Sequence, residues 1–66
     1  MLNNEFAGKW KQLRGKIQEK WGKLTDDDLE QINGRREQLV GRVQERYGKR
    51  GEEADKEVAD FFDAVA

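Results

Sequence analysis

The side chains in this sequence that can do chemistry are carboxylates, ammonium groups and guanidinium groups, because it contains no His and no Cys. Those two absences remove the commonest general base, the commonest metal ligand and the most reactive covalent nucleophile. The nearest thing to a ligand set is Asp26-Asp27-Asp28 followed by Glu30. Hard cations want clustered oxygens, but a calcium loop of the EF-hand type needs alternate ligands, a central Gly and a Glu at its twelfth position, whereas these Asp are consecutive. Thr25 with Asp28 three residues on reads instead as a capping box with Asp in place of Glu, and the helix dipole favours acidic residues in a first turn. These carboxylates are also a poor acid and base pair, since nothing nearby would bury one and raise its pKa. No catalytic residue, cofactor-binding residue or metal ligand is assigned, and no cofactor is expected. At 66 residues there is also little room for a pocket of roughly 300 Å3, so the composition argues against an enzyme.

The basic residues pose the other chemical question. Residues 1–24 carry six Lys and Arg against two Glu, and residues 35–50 repeat that balance. Residues 25–34 carry four acids and no base, and residues 51–66 six acids and one Lys. The net charge of −1 therefore hides an alternation of basic and acidic segments. If the two basic segments share a face, Lys9, Lys11, Lys16, Lys20 and Lys23 with Arg35, Arg36, Arg42, Arg46 and Arg50 could follow a phosphate backbone. Lys16, Lys20, Arg42 and Arg46 are the candidate nucleic-acid contacts. Two features weigh against it: the net charge is negative, and the aromatics fall on buried stripes and do not interleave with the basic residues as base stacking requires. The plainer reading is that opposite charges face one another across helix seams, each exposed pair contributing at most about 1 kcal/mol.

The elements that must position these groups read as helices throughout. There is no Pro, and Phe6, Trp10, Leu13, Ile17, Trp21 and Leu24 recur at steps of three and four, which places them on one helical stripe. A first helix is expected over residues 5–21, closed by Gly22 in a left-handed cap. A short second helix follows over residues 26–33, with Leu29 and Ile32 inward and Asn33-Gly34 as its stop. The third, residues 35–47, turns Leu39, Val40, Val43 and Tyr47 inward and ends at Gly48; the fourth, residues 52–62 or beyond, turns in Ala54, Val58, Phe61, Phe62 and Val65. The expected core is Trp10, Leu13, Ile17, Trp21, Leu29, Ile32, Leu39, Val43, Tyr47 and Val58. Phe61 and Phe62 are adjacent and cannot both point inward well, so one of them is expected to be exposed as a partner contact.

Residues 12–23 reappear as residues 38–49, with seven of the twelve pairs identical and four more exchanged as Lys/Arg, Ile/Val or Trp/Tyr. The chain thus reads as one domain, residues 1–66, made of a duplicated helical hairpin, about 5–33 and 35–62. Two hairpins can bury each other's apolar faces where one alone could not, so a compact all-α four-helix unit is expected. Gly15 and Gly41 occupy the same position in the two copies. Since Gly inside a helix costs about 1 kcal/mol against Ala, a close crossing of the first and third helices is the expected compensation.

The string Trp10-Lys11-Gln12-Leu13-Arg14-Gly15-Lys16-Ile17, then Trp21-Gly22-Lys23-Leu24-Thr25-Asp26-Asp27-Asp28, then Gly34 and Gln38-Leu39-Val40-Gly41-Arg42-Val43-Gln44-Glu45-Arg46-Tyr47-Gly48 resembles the CsbD-like family over about residues 4–58. The resemblance implies a small bacterial cytoplasmic protein of the general or osmotic stress response, non-enzymatic and without assigned functional residues. It also implies two helical hairpins packed roughly at right angles, similar to the sterile-alpha-motif arrangement. Independently, the mean hydropathy of −1.12 and seven Gly resemble the composition of hydrophilin-type protectants. The sequence names no partner: the first reading is protection by abundance without a specific partner, and the alternatives are a module that docks a protein or a second copy of the chain, or nucleic acid bound by the basic helices. No apolar run approaches the roughly 20 residues of a membrane span, and neither a membrane nor a small-molecule substrate is expected.

Overall fold

The computed structural model describes residues 7–65, and among them the regular elements are four helices with no strand. They are α1 (Trp10–Lys20), α2 (Asp26–Ile32), α3 (Arg36–Tyr47) and α4 (Gly51–Val65). The expected start of the first helix at residue 5, and Phe6, lie outside the described residues. Within them, Lys9 leaves helical geometry (φ −103°, ψ 4°) and caps α1 without a side-chain hydrogen bond. Gly8 just before it weakens helix propagation, and no acidic side chain supports the first turn of α1.

The four helix ends show how local chemistry fixes the path. Trp21 ends α1 at φ −114° and ψ 76°, its N–H still bonded to Ile17 O at 2.8 Å. Gly22 was expected to adopt the left-handed cap and does not, because the chain turns one residue earlier: Leu24 N–H donates to Trp21 O at 3.0 Å, which returns Leu24 to the core. Thr25 opens α2 through a complete capping box, Thr25 Oγ1 accepting from Asp28 N–H at 3.1 Å and Asp28 Oδ2 from Thr25 N–H at 3.0 Å. Asn33 (φ 42°) and Gly34 (φ 80°) then reverse the chain in left-handed geometry. Gly48 (φ 63°) ends α3, and both it and Lys49 donate to Gln44 O, a Schellman-type end.

The buried side chains form one cluster: Leu13, Ile17, Trp21, Leu24, Leu29, Ile32, Leu39, Val43, Ala54, Val58 and Phe61. Each large aliphatic member contributes about 1.5–3 kcal/mol by leaving water. Trp10, Val40, Tyr47, Phe62 and Val65 are half-buried and pack against the cluster. Phe61 stacks on Trp21 with ring centres 5.1 Å apart and planes tilted by 59°, and Phe62 lies along the core edge. Both Phe side chains therefore touch the core, where one had been expected to stand outside it. Helix α3 packs on both α2 and α4.

Gly15 and Gly41 do not sit at a helix crossing. Both are exposed, and a Cβ added to either would meet no other atom within 4 Å. The compensation expected from close packing is absent at these positions. Gly34 is the glycine in a close approach, since a Cβ there would lie 3.1 Å from the backbone Cα of Ala7, in addition to its positive φ.

Gly15→Ala and Gly41→Ala should therefore each raise the unfolding free energy by about 0.5–1 kcal/mol in urea titration. Gly34→Ala should lower it by about 1–2 kcal/mol, from the strain of a left-handed Ala alone. Destabilisation at residue 15 or 41 would show that these glycines carry a packing role.

Candidate functional site

Asp28 is the charged side chain that the fold buries among the described residues, at 2% exposure. It lies in the first turn of α2, and its carboxylate meets three sets of donors. Arg46 of α3 approaches with its fork, Nε to Oδ2 and Nη2 to Oδ1, both at 2.9 Å. Thr25 N–H occupies Oδ2 from the same helix end, and Arg42 Nη1 stands 3.8 Å from Oδ1. A two-point guanidinium–carboxylate contact is the strongest polar pairing available to side chains. The hydrogen bonds from Arg46 hold the Asp28 pKa down at about 2, against the opposing pull of burial, with Thr25 adding to the same effect. The sequence reading gave this residue its cap but expected no burial. The signal that could have found it is the spacing: Asp28 falls one residue before Leu29 and four before Ile32, on the inward face of α2.

Asp26 and Asp27 point away to solvent, and Asp26 accepts a hydrogen bond from Gln18. The three consecutive carboxylates thus diverge, and no group of three potential ligands converges among the described residues.

The second polar junction joins α1, α4 and the loop after α3. Glu57 accepts from Trp21 Nε1 at 2.9 Å through Oε1 and from Lys49 Nζ through Oε2. Lys49 lowers the Glu57 pKa most, with Trp21 next, and Glu57 raises that of Lys49. Tyr47 Oη accepts from Lys23 N–H at 3.1 Å, so each aromatic that closes a repeat copy is tied by its polar atom to the other copy.

The four basic residues named as nucleic-acid contacts separate into two kinds. Arg46 is committed to Asp28, and Arg42 bonds Glu45 at 2.9 Å and Gln31. Lys16 and Lys20 on α1 form no ion pair among the described residues; Lys20 lies 5.4 Å from the Trp21 ring centre. A shallow groove of about 320 Å3 is lined by Arg36, Glu37, Val40 and Asp55, so a space of the size thought unavailable does exist. Across it Arg36 and Asp55 face each other at 3.5 Å.

A family model described as CsbD-like matches residues 4–56, which includes Thr25, Asp28, Arg42 and Arg46. The chain belongs to the CsbD-like family. It is 56% identical over 61 residues to UPF0337 protein YjbJ of Escherichia coli K12, covering 92% of this chain and 88% of that one. UPF0337 proteins of Agrobacterium fabrum (58% over 59 residues, 89% and 88% covered) and Pseudomonas aeruginosa (57% over 63 residues, 96% and 97% covered) are similarly close. No solved structure matches the chain. The CsbD-like match ends one residue before Glu57, so the whole Asp28 junction lies inside the matched segment, whereas of the second junction Trp21 and Lys49 lie inside it and Glu57 outside.

Because the folded-state pKa of Asp28 is near 2 and its ordinary value is 3.8, its contribution to stability is complete above about pH 4 and is lost as pH falls toward 2. Asp28→Asn should lower stability at neutral pH by about 1–3 kcal/mol, the half-exposed Arg46 being able to turn to water instead of staying buried without a partner. It should also flatten the acid limb of stability against pH between 4 and 2. An unchanged acid limb in the variant would assign that limb to other carboxylates.

Proposed function

We propose that this CsbD-like protein serves the general or osmotic stress response without catalysis, as a folded, highly charged protectant that acts in proportion to its amount. The observation that supports this reading is the partition of charge. Charged residues are 41% of the chain, and among the described ones Asp28 alone is buried, with the aromatic and aliphatic side chains drawn into one cluster. The outer surface is thus an alternation of hydrated positive and negative groups with little apolar area to adhere to other proteins. Such a surface keeps water and tolerates crowding on drying or freezing, and it needs no pocket, metal or cofactor.

The reading differs from protection by disordered hydrophilins, because here the hydrated surface is held by a packed core. It also fits a chain with no Cys to oxidise and one Met. Among the described residues no helix is long and apolar enough to cross a membrane.

The test is recovery of a labile enzyme's activity after freeze–thaw or drying cycles. The protein should preserve activity in a graded way that saturates near mass ratios of order one. An unrelated globular protein at equal mass should do markedly less. Protection no better than that control would overturn the reading, as would full protection at catalytic amounts.

A further inference from the structure

The internal repeat makes each half of the molecule a control for the other. Lys16 and Lys20 of α1 correspond to Arg42 and Arg46 of α3, whereas the residues that follow the repeat share no identity at the same offset. In the α2–α3 pairing the cations find a carboxylate and are neutralised within the fold. Among the described residues no carboxylate forms such an ion pair with Lys16 or Lys20. Glu57 of α4 feels the charge of Lys20, but both of its oxygens are engaged, by Trp21 Nε1 and by Lys49 Nζ.

Lys9, Lys16 and Lys20 form no ion pair among the described residues. Lys16 and Lys20 lie one turn apart on one side of α1, and Lys9, its cap residue, stands two turns before Lys16, which makes a row about 16 Å long at 1.5 Å of rise per residue. The exposed neighbours Gln12, Gly15 and Glu19 supply no apolar centre of the kind that anchors a protein–protein interface.

We propose that this row on α1 docks the phosphate backbone of nucleic acid, without sequence selectivity and without the arginines of α3. A row of ammonium groups suits a duplex that carries one phosphate per about 3.4 Å of helix axis on each strand, and Lys serves as a point charge that needs no planar partner. Trp21 is buried and Trp10 half-buried, so bases are not stacked and the contact is to the backbone. Three neutralised phosphates give a slope of log affinity against log salt of about −3. The acidic segments and the net charge of −1 keep the binding to low ionic strength.

The experiment is an anisotropy titration of a labelled mixed-sequence DNA duplex with the full chain across a salt series. Lys16→Gln/Lys20→Gln and Lys11→Gln, on the opposite side of α1, are compared, with thermal melts to confirm that each is folded. The wild type should bind at low salt with a slope of about −3, and the double variant should lose about two units of slope and most of the affinity. Lys11→Gln should retain both. The proposal is overturned if the wild type does not bind at low salt or if Lys11→Gln loses as much as the double variant. It is equally overturned if polyglutamate displaces the protein's contact as well as unlabelled duplex does, since the surface would then suit an acidic protein.

Discussion

Asp28 is a carboxylate taken almost wholly out of water, a placement that costs several kcal/mol unless its lone pairs are filled. Here they are filled from two directions: the helix end that Asp28 itself caps, and the Arg46 fork arriving from the next helix. The geometry of α2 and α3 depends on both being met together. If α2 rotated, Asp28 would lose Arg46 while Leu29 and Ile32 left the core; if α3 slid, Leu39 and Val43 would move with Arg46. The ion pair thus fixes the register of two helices that hydrophobic contact alone would hold with less precision. Its net stabilisation is modest, because much of the Coulomb gain offsets desolvation.

The two repeat copies solve the same packing problem with different chemistry. Leu13 and Leu39, and Ile17 and Val43, hold equivalent places in the sequence repeat and are buried alike. The polar junctions differ: Asp28 of α2 is held by the Arg46 fork, whereas Glu57 of α4 receives an indole N–H and an ammonium.

Much of the fold was legible in the sequence because apolar spacing and absent prolines act locally. Apart from the start expected at residue 5, which lies outside the described residues, the helices begin and end within a few residues of the spacing-based expectation, and Thr25 with Asp28 forms the capping box that its pattern announces. Local rules failed where the outcome depended on tertiary contact. Gly22 fits a left-handed cap as well as Gly48 does, yet burial of Trp21 turns the chain before it. Gly15 and Gly41 invite a crossing that the helix arrangement does not make. The division of the basic residues was likewise invisible, since Arg46 and Lys20 hold equivalent places in the repeat and only the partner helix distinguishes them.

That division bears on how a chain with so many charges keeps a defined function. Charges that pair within the fold, as on α3, add register and a little stability and are withdrawn from outside partners. Charges that find no internal partner, as on α1, add little to the fold and remain available to solvent, ions or a polyanion. A hydrated surface needs only that both kinds be exposed in mixture, whereas recognition needs the second kind to be arranged in space. The sequence repeat sets the two kinds side by side: Arg46 on α3 is held by Asp28, while Lys20, at the equivalent place on α1, forms no ion pair among the described residues.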